Sequence, residues 1–192
     1  AHVMDDLAGK IDLVFDGGST RVGVESTVLD LTVAPPAILR PGGVSRETLE
    51  ESLGKVTAPA AEPEERGLKS PGRMKKHYAP RARLFLFVGD RREKVTAAMK
   101  ERIGQLKAQS RIGVMVPEEE VASFAGTGAV VASLGSFDAL EEVARRLFEV
   151  MRSMDGQGVD YIFALAPPQK GIGLAVFDRL YKAAGSQLVQ VD

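Results

Sequence analysis

Apolar and polar positions follow two different rhythms along this 192-residue chain, and the change near residue 83 divides it. Beyond that point short apolar runs alternate with segments of helical period. Strands are expected at 84–88, 112–116, 129–134 and 161–166, and helices at 92–108, 118–124, 137–154 and 173–184. Strands that are apolar throughout, separated by helices, predict a parallel sheet covered on both faces. Residues 83–192 therefore read as a small Rossmann-like domain. Phe148, Met151 and Met154, at helical spacing, belong to its core.

The first part is sparser. Residues 11–16, 23–31 and 37–40 read as strands, Pro41-Gly42-Gly43 as a turn, and Ser45 with Glu47 and Glu50 as the opening of a helix over 46–53. Three strands and one short helix bury too little surface to stand alone. Residues 1–56 are thus expected to be the C-terminal part of an α/β domain that begins before Ala1. Between the two parts, residues 57–66 are rich in Pro, Ala and Glu without apolar period, and 57–82 reads as a linker.

Composition narrows the functional classes. No apolar run approaches the roughly 20 residues of a membrane span, and the first residues lack the order of a signal peptide, which together imply a cytoplasmic protein. The absence of cysteine excludes disulfides, thiolate catalysis and thiolate zinc sites, and two histidines leave little for a histidine metal centre. No protein-held metal is expected. The net charge of −1 conceals a local patch: residues 66–83 contain seven basic residues and no acidic one. Attraction to nucleic acid or another polyanion has to come from that patch.

Four places could carry chemistry. In the 23–31 segment alternation puts Ser26 on the face of Val24 and Val28 and Thr27 on the other, so only one hydroxyl can face a given ligand. Both residue types also suit a plain strand edge. Arg40 precedes Pro41-Gly42-Gly43, so a permanently charged planar fork stands where glycines let a ligand approach the backbone. The geometry suits phosphate, and equally a surface arginine lying on its own stem. Between the turn at Pro71-Gly72 and the extended Ala79-Pro80, Lys75 and His77 could reach phosphate oxygens and Tyr78 could stack on a base. A solvated basic linker has the same composition. Gly171-Ile172-Gly173 has Val176 where a dinucleotide fingerprint needs its third glycine, so it reads as a tight turn and not an NAD site. No convergent acid, base and nucleophile set stands out, and the catalytic residues stay unassigned.

Taken together, Asp16-Gly17-Gly18, Glu25 to Asp30, Leu39 to Gly43 and Ser70 to Pro80 resemble the threonylcarbamoyl-AMP synthase family of YrdC/YwlC type. The basic linker and the stretch from Gly173 to Gly185 are similar to its longer, two-domain form. The resemblance implies a nucleotidyltransferase that condenses L-threonine, bicarbonate and ATP, with Mg²⁺ accompanying the nucleotide, into threonylcarbamoyl-AMP and pyrophosphate. The product passes to the threonylcarbamoyl-transferase machinery acting on tRNA. Carried over residue by residue, Ser26 holds threonine and Arg40 and Tyr78 contact ATP, with Thr27, Lys75 and His77 as weaker candidates. The family's Lys-Arg and Ser/Thr-x-Asn elements have no equivalent here, which implies an incomplete and inactive fragment of the synthase. The competing reading is a noncatalytic nucleotide- or RNA-binding regulatory module. A hydrogenase-maturation relative is disfavoured, because the chain lacks the zinc-finger and acylphosphatase-like regions of those proteins.

Overall fold

The structure is a computed structural model that describes residues 2–18, 20–57, 79–185 and 187–192. After a six-residue helix α1 (His2–Leu7), strands β1 (Val28–Asp30) and β2 (Ala37–Arg40) pair antiparallel, with the register shifting between Val28 and Leu29. Helix α2 (Arg46–Leu53) starts on Ser45, whose hydroxyl accepts the Thr48 N–H at 3.2 Å, and it spans the residues expected from its cap signals.

Beyond Ala79 the chain runs β3 (Arg83–Val88), α3 (Arg92–Leu106), β4 (Ile112–Val116) and α4 (Glu118–Val121), the last followed by a 3-10 turn. It continues through β5 (Val130–Ser133), α5 (Leu140–Gly156), β6 (Tyr161–Leu165), α6 (Gly173–Ala183) and β7 (Leu188–Gln190). The five strands of this part form one parallel sheet in the order β5-β4-β6-β3-β7. Every residue of β4, an interior strand, is buried, as a strand covered on both faces requires. Helix α3 lies over Phe85, Phe87 and Phe163 and meets α4 through the bond from Thr96 Oγ1 to Glu120 Oε2. Helices α5 and α6 pack on each other, and Val143, Leu147, Met151 and Met154 of α5 are buried in the core with Val176 and Leu180 of α6. Phe148 is partly buried against the same cluster.

Several elements differ from expectation. Residues 11–16 form no strand: Leu13 is 67% and Phe15 90% exposed, and no described residue pairs with their backbone. A strand needs a neighbour to satisfy its N–H and C=O groups, whatever its propensity. The 23–31 strand shrinks to three residues because its partner β2 has only four. Strand β7 was unforeseen: too short to show a period, it is recruited by β3, where Leu86, Phe87 and Val88 pair with Leu188, Val189 and Gln190. Helix α5 begins at Leu140, since the Ser136 hydroxyl accepts the Asp138 N–H and holds a turn before it. Residues 58–78, which carry most of the expected linker, lie outside the described residues.

The first part rests on the second at an unusually close approach. Gly23 has φ +82°, and a Cβ there would lie 2.3 Å from Arg145 Cα and 2.5 Å from Ala144 O of α5. Only glycine admits both that conformation and that contact. Val24 then packs against the core of the sheet domain.

Candidate functional site

The structure brings Ser26 and Arg40 together. Arg40 closes β2, and pairing with β1 sets it opposite Val28, two residues beyond Ser26. Its guanidinium donates to the Ser26 carbonyl oxygen from Nε at 3.2 Å and from Nη2 at 3.0 Å, and Nη2 also reaches Ser26 Oγ at 3.2 Å. A permanently charged fork is thus pinned beside an exposed hydroxyl at the mouth of a turn. Gly42 makes the closure possible. It is buried, and a Cβ there would lie 2.3 Å from both Glu25 O and Thr27 N and 2.4 Å from Ser26 C. Gly43 N–H then donates to Glu25 O at 3.0 Å.

Thr27 lies just outside β1, and its hydroxyl is taken up by Val44 instead of by this pair. Its Oγ1 donates to Val44 O at 2.6 Å and accepts the Val44 N–H at 3.1 Å. One hydroxyl therefore fastens the turn, while the other stands at the surface with the arginine. Lys75, His77 and Tyr78 lie outside the described residues.

The site is held from below by a residue that sequence reasoning passed over. Arg179 of α6 is fully buried, at 0% exposure. Its Nε and Nη2 donate to Glu25 Oε2 at 2.9 and 2.8 Å, and Nη2 donates to the Pro41 carbonyl oxygen at 3.1 Å. Nη1 pairs with Asp178, which also accepts from Lys182 Nζ at 2.8 Å. One signal was available: Ala175, Val176, Arg179, Leu180 and Ala183 fall on one face of α6, so the period places a charge among core positions. An arginine there needs partners, and none lies on its own face.

A second tie joins the parts nearby, where Glu47 Oε1 accepts the Gly171 N–H at 3.3 Å. The Glu47 carboxyl is held below the usual range, first by its own backbone N–H. The Gly171 N–H, the Ser45 hydroxyl and the Arg46 charge add to this against an opposing desolvation. Gly171 and Gly173 form the tight turn read from the sequence: Gly171 has φ +55°, and a Cβ on Gly173 would meet Pro168 O at 2.1 Å. The two clefts outlined in the sheet domain, one under α3 beside Phe85 and Phe163 and one at the carboxyl ends of β3 and β6, are not lined by Ser26 or Arg40.

Fold and site define a class of α/β protein in which a parallel-sheet domain carries a short ribbon that presents a hydroxyl and a guanidinium side by side. The chain belongs to the family of threonylcarbamoyl-AMP synthase C-terminal domains, whose family model matches residues 44–185. A second family model, described as telomere recombination and bearing the Sua5, YciO and YrdC names, matches residues 1–42. A protein of Pyrococcus abyssi named threonylcarbamoyl-AMP synthase is 42% identical over 99% of this chain and 54% of its own length. One of the same name from Bacillus subtilis is 37% identical over 98% of this chain and 53% of its own. The crystal structure of P. abyssi Sua5 complexed with L-threonine superposes with a TM-score of 0.87 at 40% identity, over all of this chain and 54% of that one. The chain spans about half the length of these relatives.

Proposed function

We propose that this chain is the part of a threonylcarbamoyl-AMP synthase that carries one wall of the active site together with the C-terminal domain. The observation that supports it most directly is the Ser26–Arg40 pair, two residues far apart in sequence that meet at the tip of a glycine-closed turn. In this reading Ser26 contacts L-threonine, as a structure of a 40%-identical relative with bound L-threonine makes reasonable. Arg40 takes phosphate oxygens of ATP, and Tyr78 from the linker adds a further ATP contact, with Lys75 and His77 in reserve. Thr27 is a fastener of the turn, its donor committed to Val44 O.

The reaction is a nucleotidyl transfer. The threonine amine and bicarbonate condense to a carbamate with loss of water, the carbamate oxygen attacks the α-phosphorus of ATP to form a new P–O bond, and the bond to the β-phosphate oxygen breaks as pyrophosphate leaves with the electron pair. The chain's contribution is to orient the reactants and to offset the charge that grows on the leaving phosphates. A hydroxyl and a guanidinium are donors to anions, so Mg²⁺ fits this wall only as a passenger on the triphosphate, where it withdraws charge from the phosphate oxygens. The product serves threonylcarbamoyl modification of tRNA in the cytoplasm. The synthase names carried by relatives over nearly the whole chain support this reading over a noncatalytic nucleotide- or RNA-binding module.

The remainder of the site comes from synthase-domain residues that cover the first part. Apart from Leu188, every exposed large hydrophobic among the described residues lies between Val3 and Leu53, which is the character of a surface built to be covered. The 192-residue chain alone is therefore expected to release little pyrophosphate from ATP, threonine and bicarbonate. A chimaera in which it replaces the matched half of the B. subtilis relative should be active, and Arg40→Ala should lower kcat/KM by at least 10-fold. A folded but inactive chimaera, or an Arg40→Ala variant with unchanged kinetics, refutes the proposal.

A further inference from the structure

Arg179 closes a ring that begins and ends in the sheet domain. From its guanidinium the path runs to Glu25, along one peptide bond to Ser26, across to Arg40, along one peptide bond to Pro41, and back to the same guanidinium. Both contacts fall on the immediate neighbours of the paired residues, one on each side of the turn. We propose that Arg179 is a positioning residue for the Ser26–Arg40 pair, and that setting their relative placement is a task of the sheet domain in the synthase. The inference deepens the function proposed above and rests on it for its kinetic consequence alone.

Three observations favour this over a plain structural staple. The first is position: α6 lies against a large apolar core, and joining the two parts there needed only apolar side chains. A buried ion pair is a weak source of stability compared with such packing, whereas it fixes partners and geometry. The second is charge balance. Among the described residues Glu25 and Asp178 face Arg179, and Lys182 faces Asp178, so the buried guanidinium has carboxylates on both sides of it. The third is shape, because a planar fork can grip the Glu25 carboxylate and the Pro41 carbonyl at once and so set the distance between two segments. An ammonium group offers no such fixed spacing.

The test uses amide hydrogen exchange in the 192-residue chain, which is independent of catalysis, and kinetics in the chimaera. In Arg179→Met the Gly43 and Val44 amides, bonded to Glu25 O and Thr27 Oγ1, should exchange at least 10-fold faster. Amides of β3 and β4 should stay within 2-fold. Glu25→Gln removes the charge of the same link from its more exposed end and should give the same local loss, which covers the case of an Arg179 variant that fails to fold. Arg179→Lys should fall between wild type and Arg179→Met. In the chimaera Arg179→Met should raise KM for ATP and threonine at least 5-fold, and Arg179→Lys should recover part of that. Exchange unchanged at Gly43 and Val44, exchange raised uniformly across the sheet, or a lysine variant no better than methionine overturns the inference. A chimaera inactive even with Arg179 in place counts against the proposed function, and the exchange results then decide the positioning role alone.

Discussion

Replacing Gly42 by alanine puts the arrangement of the site to a direct test. The added Cβ would lie 2.3 Å from Glu25 O and from Thr27 N, against a floor of 3.0 Å for real Cβ contacts, so the 25–27 backbone has to retreat by 3.0 − 2.3 = 0.7 Å. Those neighbours are main-chain atoms, and no side-chain rotation relieves the contact. A retreat of that size takes the bond from Gly43 N to Glu25 O from 3.0 Å to about 3.7 Å, outside hydrogen-bonding range. If Ser26 moves with Glu25, its carbonyl also leaves the Arg40 fork.

The chain can keep the bonds and hold the strain, at about 1–3 kcal/mol for an overpacked methyl, or release the strain and lose charge-assisted bonds at about 1.5–3 kcal/mol. Either route costs about 2 kcal/mol locally, which is roughly a 30-fold change in the opening equilibrium. Amide hydrogen exchange followed by NMR reads it: Gly43 and Val44 should lose at least 30-fold in protection, or all of it, while strands β3, β4 and β6 are unaffected. Far-UV circular dichroism serves as the check on folding, since the chain has no tryptophan to report by fluorescence. Protection within 3-fold of wild type at both amides would show that the turn is not closed in the way described.

Two further outcomes are expected. Gly104 sits inside α3 with nothing within 4 Å of its missing Cβ and no positive φ, so Gly104→Ala should stabilise the sheet domain by about 0.5–1 kcal/mol, seen as a higher urea midpoint; a lower midpoint would contradict the open space at that site. The Glu119 carboxyl is held low, first by the Ser136 hydroxyl and also by its own and the Phe137 backbone N–H groups, against desolvation. A carboxyl whose folded pKa is depressed stabilises above its ordinary value and loses that contribution as pH falls through the lowered one. Urea midpoints should therefore decline below about pH 4.5, and Glu119→Gln should flatten the decline; an unchanged slope would remove Glu119 as a cause.

What the sequence made legible follows from where each element finds its partners. Strands β3, β4 and β6 were readable because a strand buried on both faces has to be apolar at consecutive positions, and Leu84 to Val88 or Ile112 to Val116 show that without reference to any neighbour. Helix α2 was readable because Ser45, Glu47 and Glu50 are local signals. By contrast, residues 11–16 and 23–31 have strand composition, yet whether they become strands depends on a pairing that propensity does not encode, and β7 exists only because β3 offers it an edge. The site divides in the same way. Arg40 was singled out by its charge before Pro41-Gly42-Gly43 and Ser26 by strand alternation and the family resemblance, and the structure supplies what spacing could not, namely that the two are hydrogen-bonded to each other.

Arg179 shows why the remaining part was hidden. Its partners Glu25 and Pro41 lie 154 and 138 positions away, in what the sequence divided off as a different domain, so no local window contains the reason for its charge. The anomaly alone was visible, an arginine in the apolar stripe of α6. Burying that group without compensation would cost several kcal/mol, so a folded chain has to bring a carboxylate to it. The carboxylate it brings is attached to the residue before Ser26. The polar contacts thus cut across the division read from the apolar rhythm: the hydroxyl and guanidinium of the first part take their spacing from a charge buried in the second.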